Sequence, residues 1–157
     1  MKKKNKIVVA VSGGFDCLHA GHIKYFKEAK KLGDKLVVML NSDRFLEEKK
    51  GFVFMKYLER KEIIEALECV DLVIPVIDED QTVCKALRAL QPNIFAKGGD
   101  RTIENIPEKA ICEELGIKMV FEVGGCKIQS SSKLVEDVCN KIRKNRTSYE
   151  DEAFEAS

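Results

Sequence analysis

The sequence predicts an α/β fold, in which helices cover both faces of one doubly wound, parallel, five-stranded sheet. Short β-branched runs alternate with amphipathic stretches along most of the chain. The runs are apolar at successive positions, as is typical of strands that are buried on both faces. The regular alternation of strand and helix favours parallel strands that are joined by helical crossovers.

Each predicted element follows from its local pattern. The five apolar runs predict the strands Ile7–Val11, Leu36–Leu40, Leu72–Ile74, Asn93–Ala96 and Met119–Phe121. Apolar residues at helical spacing predict the helices Ala20–Leu32, Lys56–Leu67, Thr82–Leu90, Pro107–Leu115 and Ser132–Lys144. Gly33 and Gly116 follow two of these helices, where glycine commonly adopts the left-handed conformation that ends a helix. Pro75 ends the third strand, and Pro107 suits the first turn of a helix.

Length and composition favour one domain without a membrane segment. The 157 residues match a single domain, since a domain usually has ~100–200 residues. We expect that domain to cover residues 1–144 and the polar, acidic segment 145–157 to be a disordered tail. With 27 Lys plus Arg against 26 Asp plus Glu, the net charge of +1 supports neither nucleic-acid nor membrane binding. Six scattered cysteines without a CxxC pair predict a reduced, cytoplasmic protein.

The loop after the first strand holds the clearest functional signal. Gly13 and Gly14 leave the strand together, so the backbone can turn tightly and approach a ligand. The helix N-terminus that follows suits an anion. His19 and His22, the two histidines of the chain, lie three residues apart, which on a helix brings their Cβ atoms to about 5–6 Å. Two imidazoles over an anion site can stabilise charge on a transferred phosphoryl group.

Other chemistries fit this loop less well. The GxxxxGK[ST] and GxGxxG phosphate-binding patterns do not occur in the sequence. A hydrolytic triad of Ser12, Asp16 and His19 lacks the GxSxG context. A metal site on Cys17, His19 and His22 lacks a second pair of ligands. Local packing of both histidines at a helix cap remains the structural alternative.

The segment from Gly14 to His22 resembles the G-x-F-D-x-x-H-x-G-H signature of the cytidylyltransferase-like nucleotidyltransferases. Members include glycerol-3-phosphate cytidylyltransferase and the adenylyltransferase domain of bacterial ADP-heptose synthesis. The resemblance covers roughly residues 6–135, and it implies the Rossmann-like nucleotidyltransferase fold. It also implies that His19 and His22 are catalytic, and that Gly14, Phe15 and Asp16 bind nucleotide. Whether Asp16 orients a metal ion or only supports the loop stays open.

The resemblance extends to the ends of the other strands. It implies that Lys50, in a lysine-bearing loop after the second strand, contacts phosphate, and that Arg60 contacts phosphate or the acceptor. The string of Lys97, Gly98, Gly99 and Asp100 after the fourth strand is similar to the heptose-phosphate adenylyltransferases, and the resemblance implies that these residues bind nucleotide. At the last helix, the hydroxyls of Ser130, Ser131 and Ser132 replace an S-T-T step that contacts the nucleotide's phosphates. Residues 52–56 depart from the R-P-I-N pattern of the heptose enzymes.

Together these features predict a nucleotidyltransferase that transfers a nucleoside monophosphate, with ATP favoured, to a phosphorylated sugar such as heptose 1-phosphate. Pyrophosphate leaves, and Mg²⁺ or another divalent cation is expected on the phosphates. One alternative is a CTP-dependent enzyme that acts on glycerol 3-phosphate or another alditol or amino-alcohol phosphate. Another is a nucleotide-binding regulatory module without turnover. By resemblance we expect a homodimer whose ligands are a nucleoside triphosphate and a small phosphorylated acceptor.

Overall fold

A computed structural model describes residues 6–99, 106–125 and 129–155, with side chains described as far as Lys144. Within these ranges the strands are β1 (Val8–Gly13), β2 (Lys35–Leu40), β3 (Leu72–Pro75), β4 (Ile94–Gly98) and β5 (Lys118–Val123). The helices are α1 (Ala20–Lys30), α2 (Asp43–Lys50), α3 (Tyr57–Glu65), α4 (Cys84–Leu90), α5 (Lys109–Leu115) and α6 (Ser131–Glu155). Every strand and helix that the sequence predicts is present, and apart from the end of α6 their limits differ by only a few residues.

The strands form one parallel sheet in the order β3-β2-β1-β4-β5. From β1 the chain moves outward to β2 and β3, then returns to the other side of β1 for β4 and β5. The predicted doubly wound, five-stranded sheet is confirmed. In such sheets ligands bind beyond the carboxyl ends of the strands, where the order reverses. That point lies between β1 and β4.

Two apolar clusters hold the helices against the two faces of the sheet. On one face, Phe26 and Ala29 of α1 and Ile64 of α3 pack against alternate strand residues. On the other face, Leu87 of α4 and Ile111 of α5 do the same. The middle of β1 is buried on both sides, as its continuous apolar run predicts. The two faces therefore present different helix N-termini to the ligand-binding edge.

Helix α2 is a correction to the sequence-based prediction, which placed Lys50 in a loop. The Ser42 hydroxyl accepts a hydrogen bond from the amide of Phe45, which caps the N-terminus of α2. At the other end Gly51 has φ +80°, the left-handed conformation that ends many helices. Polar residues fill α2, so its apolar periodicity is weak. The capping residues Ser42 and Gly51 are the sequence signal that could have predicted α2.

Helix α6 continues to Glu155, whereas the sequence predicted a domain end at residue 144 and a disordered tail beyond it. Glu, Lys and Arg recur along α6, and all three favour helix. The extent of the folded domain stays a prediction. Of the helices in the described ranges, none combines the length and the apolar character that a bilayer-spanning segment needs.

Candidate functional site

A cavity of about 460 Å³ opens at the carboxyl edge of the sheet, where the strand order reverses. Its wall is formed by the segments that follow β1, β2, β4 and β5 and by the N-terminal ends of α1, α5 and α6. Most of the residues that the sequence singles out meet here: Gly14, Phe15, Asp16, His19, His22, Lys50, Lys97, Gly98, Gly99, Ser130, Ser131 and Ser132. Asp100 lies outside the described residues.

The two histidines form a stacked pair in the cavity wall. Their ring centroids are 3.8 Å apart and their planes differ by 21°. His22 lies in the first turn of α1, and His19 is the residue that caps this helix. The spacing argument for two rings on one side of a helix is therefore confirmed. The Phe15 ring, which also lines the cavity, meets His22 edge-on at a centroid distance of 5.1 Å and so packs against the pair.

The cap bond of His19 identifies the nitrogen that can act on a ligand. Nδ1 of His19 accepts a hydrogen bond from the amide of Gly21 at 3.1 Å. A neutral imidazole has one acceptor and one donor nitrogen, so in this tautomer the proton of His19 lies on Nε2. Helix capping thus uses Nδ1, and the opposite nitrogen of the ring, Nε2, is the N–H donor.

The Asp16 carboxylate organises the loop between α2 and α3. It accepts hydrogen bonds from the amides of Phe54 at 2.9 Å and Met55 at 2.6 Å, and its side chain is fully buried. Lys50 Nζ lies 3.1 Å from Asp16 Oδ2 and donates to the Asp16 carbonyl at 2.7 Å. Burial opposes ionisation of Asp16, but the two amides and Lys50 outweigh it and lower the pKa below its ordinary value of 3.8.

Lys50 therefore holds the Asp16 loop and lines the cavity at the same time. Its ammonium has three N–H donors, of which the two Asp16 oxygens take two. The Lys50 side chain is 17% exposed, on the cavity side of the Asp16 carboxylate. A role as a phosphate contact stays a prediction.

Arg60 is a correction in geometry. The sequence favoured it as a phosphate or acceptor contact, but its side chain is fully buried and is not part of the cavity wall. Its guanidinium donates to three backbone carbonyls and one carboxylate: Met55 O at 2.9 Å, Gly14 O at 2.6 Å, Asn41 O at 3.0 Å and Asp43 Oδ1 at 2.7 Å. A planar fork of five donors suits this task. In this structure Arg60 joins the ends of β1 and β2 to the loop before α3.

The three serines at the start of α6 differ in their contacts. Ser130 Oγ accepts a hydrogen bond from the amide of Lys133 at 3.1 Å, which is the usual role of a capping serine. Ser131 Oγ donates to the carbonyl of Cys17 at 2.8 Å and so ties α6 to the histidine loop. All three serines line the cavity at the helix N-terminus, where backbone amides favour an anion.

Two buried polar or charged residues of the described cavity wall, Glu108 and Asn41, were not predicted as site residues from the sequence. Glu108, just before α5, is 5% exposed, and its Oε2 lies 3.7 Å from Lys97 Nζ. Asn41, at the end of β2, is 6% exposed, and its Oδ1 has no hydrogen-bond partner among the described residues. Asn41 directly follows a strand, a position that could have identified it. Glu108 carried no such signal, because it approaches the cavity through the packing of α5.

The described residues do not form a ready-made cage for a divalent cation. Of the described His, Cys, Asp and Glu side chains, no three cluster as metal ligands do. The Asp16 carboxylate is already occupied by two amides and Lys50. Mg²⁺ commonly binds substrate phosphates and water with only one or two protein carboxylates.

Comparisons with known proteins find relatives over most of the chain. The family model described as cytidylyltransferase-like matches residues 10–149. The bifunctional protein HldE of Pelobacter propionicus is 39% identical over 144 residues, which are 89% of this chain and 28% of that protein. HldE of Campylobacter fetus subsp. fetus is 37% identical over 143 residues, which are 90% of this chain and 29% of that protein. This chain thus spans less than a third of the length of the curated relatives it matches.

Solved structures share the fold. A lipopolysaccharide core biosynthesis protein from Thermoplasma volcanium has a TM-score of 0.65 and 32% identity, and the match covers 74% of this chain and 94% of that chain. Pantothenate synthetase from Thermus thermophilus has a TM-score of 0.51 and 15% identity, and the match covers 74% of this chain and 55% of that chain. The second likeness concerns the fold alone.

Proposed function

The chain belongs to the cytidylyltransferase-like family of nucleotidyltransferases, and from that premise we propose that it transfers a nucleoside monophosphate to a phosphorylated sugar. The donor is a nucleoside triphosphate, with ATP favoured, and the acceptor is a sugar phosphate such as heptose 1-phosphate. The observation that carries the proposal is the stacked His19–His22 pair in the wall of the strand-end cavity.

In the proposed reaction, an oxygen of the acceptor phosphate attacks the α-phosphorus of the triphosphate. The new P–O bond forms as the bond from the α-phosphorus to the bridging oxygen of the β-phosphate breaks. Pyrophosphate leaves with that electron pair. The attacking phosphate is already an anion, so no general base is required. Positioning and charge stabilisation then supply the rate.

The histidine pair acts on the charge that develops at the α-phosphate. His19 Nε2 is the donor nitrogen of its ring, because Nδ1 is held by the Gly21 amide. His22 is held against it by stacking and by the edge of Phe15. Preorganised donors of this kind contribute about 10²–10³-fold each to turnover in other enzymes. Both rings are fixed before the ligand arrives, so little reorganisation opposes the reaction.

The rest of the triphosphate can be received by the loop after β1, the N-terminus of α6 and a lysine. The amides near Gly14 and at the start of α6 line the cavity together with Ser132 and Lys50. Helix N-termini attract anions through their unpaired amides and the helix dipole. A divalent cation bound to the phosphates would neutralise part of their charge. Lys50 contacts Asp16 in the histidine loop, so its ammonium is close enough to help to neutralise the charge of the phosphates.

The choice of acceptor rests on similarity. The string from Lys97 to Gly99 lines the cavity and resembles the heptose-phosphate adenylyltransferases. The relative from Thermoplasma volcanium is described as a lipopolysaccharide core biosynthesis protein. Both support a sugar phosphate over a simple alditol phosphate. A homodimer and a cytoplasmic location belong to the same proposal.

Pyrophosphate release tests the proposal directly. The purified chain is mixed with ATP or CTP and with heptose 1-phosphate, another sugar 1-phosphate or glycerol 3-phosphate, with Mg²⁺ present. We expect the fastest release with ATP and a sugar 1-phosphate. Fastest release with CTP and glycerol 3-phosphate would show instead that CTP is the donor and that an alditol phosphate is the acceptor. Nucleotide binding without release for any pair would indicate a regulatory module and overturn the proposed transfer.

A further inference from the structure

Lys97 and Glu108 form a charged pair in the cavity wall that the reaction described above does not use. Lys97 lies in β4 and Glu108 directly precedes α5, and their side chains are 13% and 7% exposed. Both residues line the cavity. The distance of 3.7 Å between Lys97 Nζ and Glu108 Oε2 is an ion-pair distance, but it is too long for a hydrogen bond.

The pair lies on the α5 side of the sheet, whereas His19 and His22 lie at the start of α1 on the other side. The apolar residues of α5 pack on the sheet face that also holds Val83 and α4. Those of α1 pack on the opposite face. The N-terminus of α5, where Glu108 lies, therefore closes a different side of the cavity from His19 and His22. A ligand whose phosphates lie on the α1 side extends its uncharged part toward Glu108.

We propose that Lys97 and Glu108 bind a hydroxyl group of a sugar, an inference that rests on the proposed nucleotidyl transfer. An ammonium only donates hydrogen bonds and a carboxylate only accepts them. A hydroxyl does both, so its oxygen can lie about 2.8 Å from each group, accepting from Lys97 and donating to Glu108.

Other ligand groups fit this pair less well. A phosphate oxygen that approaches Lys97 meets the negative charge of Glu108 on the same side. An amino group satisfies Glu108 but faces the positive charge of Lys97. The pair therefore selects a neutral group that donates and accepts. The sequence predicted only that Lys97 binds nucleotide. The proposal adds that Lys97 acts together with Glu108 and that the two bind a hydroxyl group.

Two parts of the substrates carry such hydroxyls: the ribose of the nucleotide and the sugar of the acceptor. Calorimetric titration separates them and does not require turnover. In the nucleotide arm, ATP, 2′-deoxyATP and 3′-deoxyATP are titrated into the wild-type protein and into Glu108→Gln. In the acceptor arm, heptose 1-phosphate and glucose 1-phosphate are compared with their 2-deoxy and 3-deoxy analogues in the same two proteins.

We expect removal of one hydroxyl to weaken binding to the wild type by about 10–100-fold, the range for a hydrogen bond to a charged group. The same removal should have a several-fold smaller effect on binding to Glu108→Gln, because a neutral amide oxygen accepts a weaker hydrogen bond than a carboxylate does. If the loss of affinity occurs with the deoxyATP analogues, the hydroxyl belongs to the ribose. If it occurs with the deoxy sugar phosphates, the hydroxyl belongs to the acceptor. Glu113→Gln is the matched control, because Glu113 lies on the same helix with its side chain 69% exposed. It should bind every ligand as the wild type does.

A merely structural pair would give a different result. Glu108→Gln would then weaken all ligands equally, and no single hydroxyl would matter in the wild type, which overturns the proposal. If Glu108→Gln does not fold, the hydroxyl series with the wild type and with Lys97→Met still decides. A wild type that discriminates between hydroxyls but releases no pyrophosphate contradicts the proposed transfer and leaves the sugar subsite supported.

Discussion

Because Gly21 has no side chain, the His19 ring can pack directly against its backbone. A Cβ at Gly21 would lie 2.9 Å from Cε1 and 3.0 Å from Nδ1 of His19, distances at which one of the two must move. The glycine between the two histidines is therefore a condition for their stacking and for the hydrogen bond from the Gly21 amide to His19 Nδ1.

Gly21→Ala should separate activity from stability. Alanine favours helix over glycine by about 1 kcal/mol, so the melting temperature should stay within a few degrees of the wild type. The displaced His19 ring should lower kcat by about 100-fold, the order expected for a misplaced catalytic group. Pyrophosphate release and thermal unfolding measure the two effects. Full activity in a stable variant would show that the His19 position is not critical.

Arg60→Met should destabilise the protein rather than weaken ligand binding. Removal of the buried guanidinium leaves Asp43 and three backbone carbonyls without their donor. A loss of about 3–5 kcal/mol in the free energy of unfolding is expected. Denaturant unfolding measures it.

Arg44→Ala is the control for Arg60→Met, because Arg44 forms an exposed pair with Glu48 on α2 that is worth about 0.3–0.5 kcal/mol. If Arg60→Met is as stable as Arg44→Ala but has a raised KM, then Arg60 contacts a substrate after all.

The sheet was predictable because its evidence is local. Apolar runs such as that around Val9 need no knowledge of partners, and their alternation with helices indicates parallel order. The histidine loop was predictable because its signature is contiguous in sequence. The role of Arg60 was not, since it depends on three carbonyls that meet only in the folded chain. Glu108 was missed for the same reason: its contact with Lys97 joins two separate elements of the fold.

Asp16→Asn should reveal a pH-dependent contribution to stability. The pKa of Asp16 is lowered below 3.8 in the folded protein, so the carboxylate stabilises the fold fully above that value. The contribution is lost as pH falls through the lower, folded-state pKa. At pH 7 the variant should be less stable by about 2–4 kcal/mol. Urea unfolding from pH 7 to pH 2 should show this gap closing in acid. A gap that stays constant to pH 2 would refute the charge argument.

Ser131→Ala and Ser130→Ala should differ in kind. Ser130 caps α6, so its loss should cost about 1 kcal/mol of stability with small changes in kinetics. Ser131 holds the Cys17 carbonyl of the histidine loop, so its loss should reduce kcat or raise KM several-fold with less effect on the melting temperature. Steady-state kinetics and thermal unfolding of both variants check this. If Ser130→Ala instead impairs the kinetics and Ser131→Ala instead lowers the stability, Ser130 supports the histidine loop and Ser131 supports the helix.

The most direct test of the central claim is the turnover of His19→Asn and His22→Ala. Asparagine is a good helix cap, so His19→Asn keeps the cap of α1 while it removes the imidazole. We predict that pyrophosphate release by each variant falls about 10²–10³-fold, while the melting temperature stays near that of the exposed control Lys27→Ala on the same helix. Variants that unfold early but keep wild-type turnover per folded molecule would contradict the claim that the histidine pair acts on the phosphate.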